Sequence, residues 1–124
     1  MSASCILIVE DHDSYRHTLC ELLEIKGRKV IGATSAEEAI EILKTQKISV
    51  LLADINLPGM SGIELAKAVV AASPGVKIIL SSGAGYMVAN KLDFKFIFLP
   101  KPYNVNTFMS VLDESAELTG KTIT

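Results

Sequence analysis

The stretch Val50-Leu51-Leu52-Ala53-Asp54-Ile55-Asn56-Leu57-Pro58-Gly59 decides the fold. Four apolar residues in a row, followed by a carboxylate and a Pro-Gly turn, read as a strand buried on both faces with Asp54 at its exit. Two other runs send charge to the same kind of position. Cys5-Ile6-Leu7-Ile8-Val9 leads into Glu10-Asp11, and Phe96-Ile97-Phe98-Leu99 leads into Pro100-Lys101-Pro102. With the run at Ile48–Ala53, further strands at Lys29–Ala33 and Val76–Leu80 bring the set to five.

Between these runs the apolar period becomes helical. Tyr15, Leu19, Leu22 and Leu23 share one face, and Gly27 supplies a stop. Ser35 with Glu38 reads as a capping box ahead of Ala39, Ile40 and Leu43. Ser61 with Glu64 reads as another, ahead of Leu65, Ala66, Val69 and Val70, closed by Ser73-Pro74-Gly75. A fourth helical segment falls at about Gly85–Leu92, where few apolar positions repeat. The last helix starts near Asn104 or Asn106 and presents Val105, Phe108, Met109, Leu112 and Ala116 before Thr119-Gly120. Five strands alternating with five helices predict one α/β domain over residues 1–124, a doubly wound, flavodoxin-like five-stranded parallel sheet of order 2-1-3-4-5. In such sheets ligands bind outside the carboxyl ends of the strands, at the switch point between strands 1 and 3, and Glu10, Asp11 and Asp54 all fall there.

Composition bounds the function. With 49% hydrophobic and 21% charged residues, the chain is that of an ordinary globular domain with its own core. A net charge of −2 with scattered Lys and Arg offers no basic field for nucleic acid, so no direct nucleic-acid partner is expected. Cys5 and Cys20 lack metal-site or CxxC spacing and read as small core residues in a reducing compartment. No apolar run reaches the roughly 18 residues of a membrane span, and no positive charge precedes Arg16, so neither membrane association nor a secretory signal is expected and the location reads as cytoplasmic.

Carboxylates about 4 Å apart repel by on the order of 4 kcal/mol per pair at an effective dielectric of 20. One lysine does not offset three of them, and an all-oxygen site with open positions suits Mg²⁺ and phosphate. Each part has a plainer reading when taken alone. Glu10-Asp11 serves equally as the acidic start of a helix, Lys101 as an incidental residue in a loop stiffened by two prolines, and Ser81-Ser82-Gly83 as turn chemistry. A cis Lys101-Pro102 bond fits so tight a turn. His12 reads as a solvent-facing loop residue beside the acids.

Taken together, Val9-Glu10-Asp11, the run from Asp54 to Gly62, Ser82-Gly83 and Lys101-Pro102-Tyr103 resemble the receiver domain of two-component response regulators, over nearly the whole chain and in the right order. The resemblance implies that Asp54 accepts a phosphoryl group from a phosphohistidine on a histidine kinase or histidine phosphotransfer protein. It implies Mg²⁺ held by Glu10, Asp11, Asp54 and the backbone carbonyl of Asn56, with Lys101 and the Ser82 hydroxyl on the phosphoryl oxygens. Phe98 matches the strand-5 aromatic whose rotamer follows the switch, and the output is an unnamed downstream protein. In this reading the chain is a phospho-acceptor and no enzyme beyond its own phosphorylation and dephosphorylation. Ser61 stands where the family usually has Asp, Ser82 lacks the methyl of the commoner Thr, and a short stretch from Ser82 to Lys101 shortens helix 4. Three other readings compete: a Mg²⁺-dependent aspartyl phosphatase, which wants an acid where this chain has Asn56; a flavodoxin-like flavin module, whose phosphate Glu10-Asp11-His12-Asp13 would repel; and a degenerate receiver that works without phosphate.

Overall fold

The computed structural model describes residues 5–83, 92–112 and 121–122. Six strands are arranged in the order β2-β1-β3-β4-β5-β6, every neighbouring pair parallel. They are β1 Cys5–Val9, β2 Lys29–Ala33, β3 Val50–Asp54, β4 Lys77–Ser82, β5 Ile97–Pro100 and β6 Lys121–Thr122. The described helices are α1 Asp13–Ile25, α2 Ala36–Leu43, α3 Gly62–Ala72 and α4 Val105–Leu112. The expected order 2-1-3-4-5 holds for the first five strands. A two-residue β6 beside β5 extends it, too short to leave a period in the sequence. The expected fourth helical segment lies outside the described residues except for Leu92, which belongs to no helix, and the end of the last helix, with Ala116 and Thr119-Gly120, lies outside them too.

Strand alternation divides the core between two layers. Ile6, Ile8, Val50, Leu52, Ile79, Ile97 and Leu99 pack with Leu19 and Leu23 of α1 and Phe108 and Val111 of α4. Leu7, Val9, Leu51, Ala53, Ile78, Leu80 and Phe98 pack on the other face with Ala36 and Ala39 of α2 and Leu65, Ala66 and Val69 of α3. Continuing the two-residue period past the strand ends assigns Glu10, Asp54 and Lys101 to the α1/α4 side. Three strands thus deliver two acids and a base to one rim.

The helix ends show which local signals were sufficient. Ser61 and Glu64 form the full reciprocal capping box on α3. At α2 only half of the expected box is present. Ser35 Oγ accepts from the Glu38 N–H at 3.1 Å, but the Glu38 carboxylate accepts from the backbone N–H and hydroxyl of Thr34, one residue earlier. After α1, Gly27 takes the left-handed conformation (φ 83°) that its position at the stop required. Arg16 shares the buried face of α1 with Leu19 and Leu23.

Candidate functional site: an acidic rim crossed by one lysine

Glu10 follows β1, with its N–H bonded to the carbonyl of Ala33, so the β1–β2 pairing fixes its backbone. Asp54 ends β3, and the next N–H, that of Ile55, bonds to the Ser81 carbonyl on β4. Lys101 follows β5, its N–H bonded to the Ser82 carbonyl, and the Lys101-Pro102 peptide is cis as the sequence led us to expect. All three charged side chains therefore stand on backbone that the sheet holds. Ligand oxygens of Glu10, Asp11 and Asp54 lie within 4.8 Å of one another. Glu10 and Asp54 are buried and Asp11 is exposed, so the cluster is closed below and open to solvent above.

The Lys101 ammonium bridges the two buried acids, donating to Glu10 Oε1 at 2.6 Å and to Asp54 Oδ2 at 2.8 Å. Burial lowers the lysine's pKa, but the hydrogen bonds to Asp54 and Glu10 outweigh it and the net displacement is upward, so Lys101 stays cationic. The ring of Tyr15 lies 5.1 Å from the ammonium and meets Tyr103 edge to face, while Tyr103 leans on Phe108 of α4. An open hollow of about 220 Å³, lined by His12, Tyr15, Lys101 and Pro102, lies beside the ammonium.

The remaining acceptors of Glu10 and Asp54 are also used. Glu10 Oε2 accepts the His12 N–H at 3.0 Å, and Asp54 Oδ1 accepts the Asn56 N–H at 2.9 Å. Beneath them Arg16 donates Nη1 to the Glu10 carbonyl and Nη2 to Asp13 Oδ1, both at 2.8 Å. That hydrogen bond from Arg16 lowers the pKa of Asp13. Ser82 ends β4 with its hydroxyl accepting from the Asn56 side-chain amide at 2.7 Å, whereas the buried Ser81 hydroxyl has no hydrogen-bond partner among the described residues. Phe98 is buried in the α2/α3 core. His12, exposed, caps α1 by accepting the Tyr15 N–H on Nδ1.

Four contributors escaped the sequence reading. Arg16 had a signal, being a charge three and seven residues from core leucines on one helical face. Tyr15 falls on that same face by its period, which gives no sign of its contact to Lys101. Glu37 of α2 accepts the Met60 N–H at 3.0 Å and so ties down the loop after Asp54, a contact with no trace in local sequence. Gly62 is the fourth: a Cβ there would lie 2.2 Å from the Asp54 carbonyl oxygen, so α3 can start against the end of β3 only with glycine.

The fold and this rim define a class: a doubly wound α/β domain whose switch point offers oxygen ligands for a hard cation and a fixed ammonium for an anion. The family model described as the response regulator receiver domain matches residues 6–113, and the chain belongs to that family. It is 36% identical over 77 residues to the response regulator UvrY of Escherichia coli (strain K12), a match covering 60% of this chain and 35% of UvrY. The sensor kinase CckA of Brucella abortus (strain 2308) is 32% identical over 120 residues, covering 93% of this chain and 13% of the kinase. Among solved structures, a CheY-like receiver domain protein from Methanospirillum hungatei JF-1 superposes with a TM-score of 0.83 at 26% identity, covering 94% of this chain and 95% of that one. The chain thus spans about a third or less of the length of these two curated relatives.

Proposed function

We propose that this chain is a phosphorylation switch in which Asp54 takes a phosphoryl group from a phosphohistidine of a histidine kinase or histidine phosphotransfer protein. The observation that carries the reading is the Lys101 ammonium held on Asp54 Oδ2 and Glu10 Oε1 beside a third carboxylate, Asp11. Such a donor set fits Mg²⁺: its oxygens are hard, two are buried and fixed, and one side faces water. Glu10, Asp11, Asp54 and the Asn56 backbone carbonyl would hold the ion. Bound there, Mg²⁺ supplies positive charge to the equatorial oxygens of the phosphoryl group.

The chain's own residues account for the rest of the transfer. Asp54 attacks as a carboxylate, so an O–P bond forms while the N–P bond of the phosphohistidine breaks and its electron pair returns to the imidazole. Lys101 is cationic before the reaction and close enough to Asp54 to pair with a phosphoryl oxygen afterwards. Ser82 would supply a hydroxyl to that group, and Phe98, buried on the neighbouring strand β5, would follow, so that phosphorylation biases a two-state equilibrium read by a downstream protein. The aspartyl phosphatase reading loses its general acid, because residue 56 is an amide engaged with Ser82. A phosphate-independent module has no need of an assembled acid and lysine set. The reading places the protein in the cytoplasm, in keeping with the free thiols of Cys5 and Cys20.

Incubation with acetyl phosphate and Mg²⁺ followed by intact-mass measurement tests this. A gain of one phosphoryl group, lost with EDTA and in Asp54→Asn, is expected. Labelling that persists in either control would refute it.

A further inference from the structure

Asn56 holds both halves of the switch at once. Its backbone N–H donates to Asp54 Oδ1 at 2.9 Å, and its side-chain amide donates to Ser82 Oγ at 2.7 Å. The Ser82 main chain is fixed by its place in β4 and by the Lys101 N–H on its carbonyl. Only rotation about the side-chain bond is left for the hydroxyl to move. A serine has a single heavy atom on Cβ, so it lacks the stiffness at that bond that a threonine would have. Hydrogen bonds to the hydroxyl must then help set where it rests, and the Asn56 amide is a donor already on it.

We propose that Asn56 is a positioning residue that latches Ser82: the amide keeps the hydroxyl in its resting rotamer, and a phosphoryl group on Asp54 has to draw Ser82 off that amide. This rests on the proposed phospho-acceptor reading. The latch opposes the phosphorylated conformation by the net worth of one hydrogen bond, a factor of roughly 2 to 12 in the switch equilibrium. Loss of the amide should therefore favour the phosphoryl form, and only while Ser82 has a hydroxyl to release.

The test is calorimetric titration of the full chain with beryllofluoride, a phosphoryl mimic, in excess Mg²⁺, for wild type, Asn56→Ala, Ser82→Ala and the double variant. Asn56→Ala is expected to bind several-fold more tightly than wild type, and the gain is expected to vanish in the Ser82→Ala background. An unchanged affinity in Asn56→Ala, or an equal gain in both backgrounds, overturns the latch while leaving the phospho-acceptor reading intact. Wild type that binds no beryllofluoride overturns both. A second measurement does not depend on the variant folding well: in the phosphate-free wild type, the Asn56 side-chain amide protons should exchange slowly with solvent by NMR. Exchange at the rate of a free amide would overturn the latch.

Discussion

Replacing Lys101 with Met keeps the length of the side chain and removes its charge. Two carboxylates then face one another without the ammonium that sat 2.6 Å from one and 2.8 Å from the other. Their side chains are 6% and 10% exposed, so water cannot take over the lost interaction fully. Stripping one partner from a buried pair costs about 3–5 kcal/mol. The lysine itself is 23% exposed and partly screened, which brings the expected loss to about 2–3 kcal/mol. Mg²⁺ should close most of the gap, because without the competing ammonium the variant binds the cation more tightly than wild type, and a Kd about 100-fold lower is worth about 2.7 kcal/mol at saturation. Urea unfolding followed by circular dichroism, in EDTA and in Mg²⁺, reads both quantities. The variant is expected to be less stable by that amount in EDTA and to approach wild type to within about 1 kcal/mol in saturating Mg²⁺. Equal stability in EDTA, or a gap that Mg²⁺ leaves untouched, would show that the lysine does not neutralise a cation site.

Two other expectations come from the same geometry. Gly62→Ala places a Cβ 2.2 Å from the Asp54 carbonyl oxygen, a backbone atom that cannot swing aside, and should cost about 3 kcal/mol or more in urea unfolding; a loss under about 1 kcal/mol would refute the packing argument. Burial raises the pKa of Tyr15 and Tyr103, and that of Lys101 is raised as well. In the unfolded chain these groups lose protons near pH 10. Above that the folded state holds more protons than the unfolded one, so stability is full below about pH 10 and falls as pH rises. The urea midpoint should therefore drop from about pH 9 to about pH 11, and less steeply in Tyr103→Phe; a flat profile, or an identical fall in that variant, would contradict the assignment.

What the sequence disclosed, and what it withheld, follows from the range of each interaction. Asp54, Glu10 and Lys101 were legible because a parallel sheet turns three separate strand ends into neighbours, and apolar runs mark where strands end. The first five strands and the Ser61 cap were legible for the same local reasons. Glu38 bonding to Thr34 in place of Ser35 was not, since a one-residue difference in a carboxylate's partner leaves no mark in the sequence. Glu37 on Met60, Asn56 on Ser82 and Tyr15 beside Lys101 join residues whose separations carry no periodicity. Gly62 stands within a sequence motif, but its cause, the approach of α3 to the Asp54 carbonyl, is visible only in the fold.

The central claim is that the carboxylate of Asp54 carries the phosphoryl group. After loading with acetyl phosphate and Mg²⁺, borohydride reduction converts an aspartyl phosphate to homoserine, and peptide mass mapping locates it. We expect homoserine at position 54 and at neither Asp11 nor Asp13. Homoserine elsewhere, or a loaded protein with an unmodified Asp54, would contradict the account.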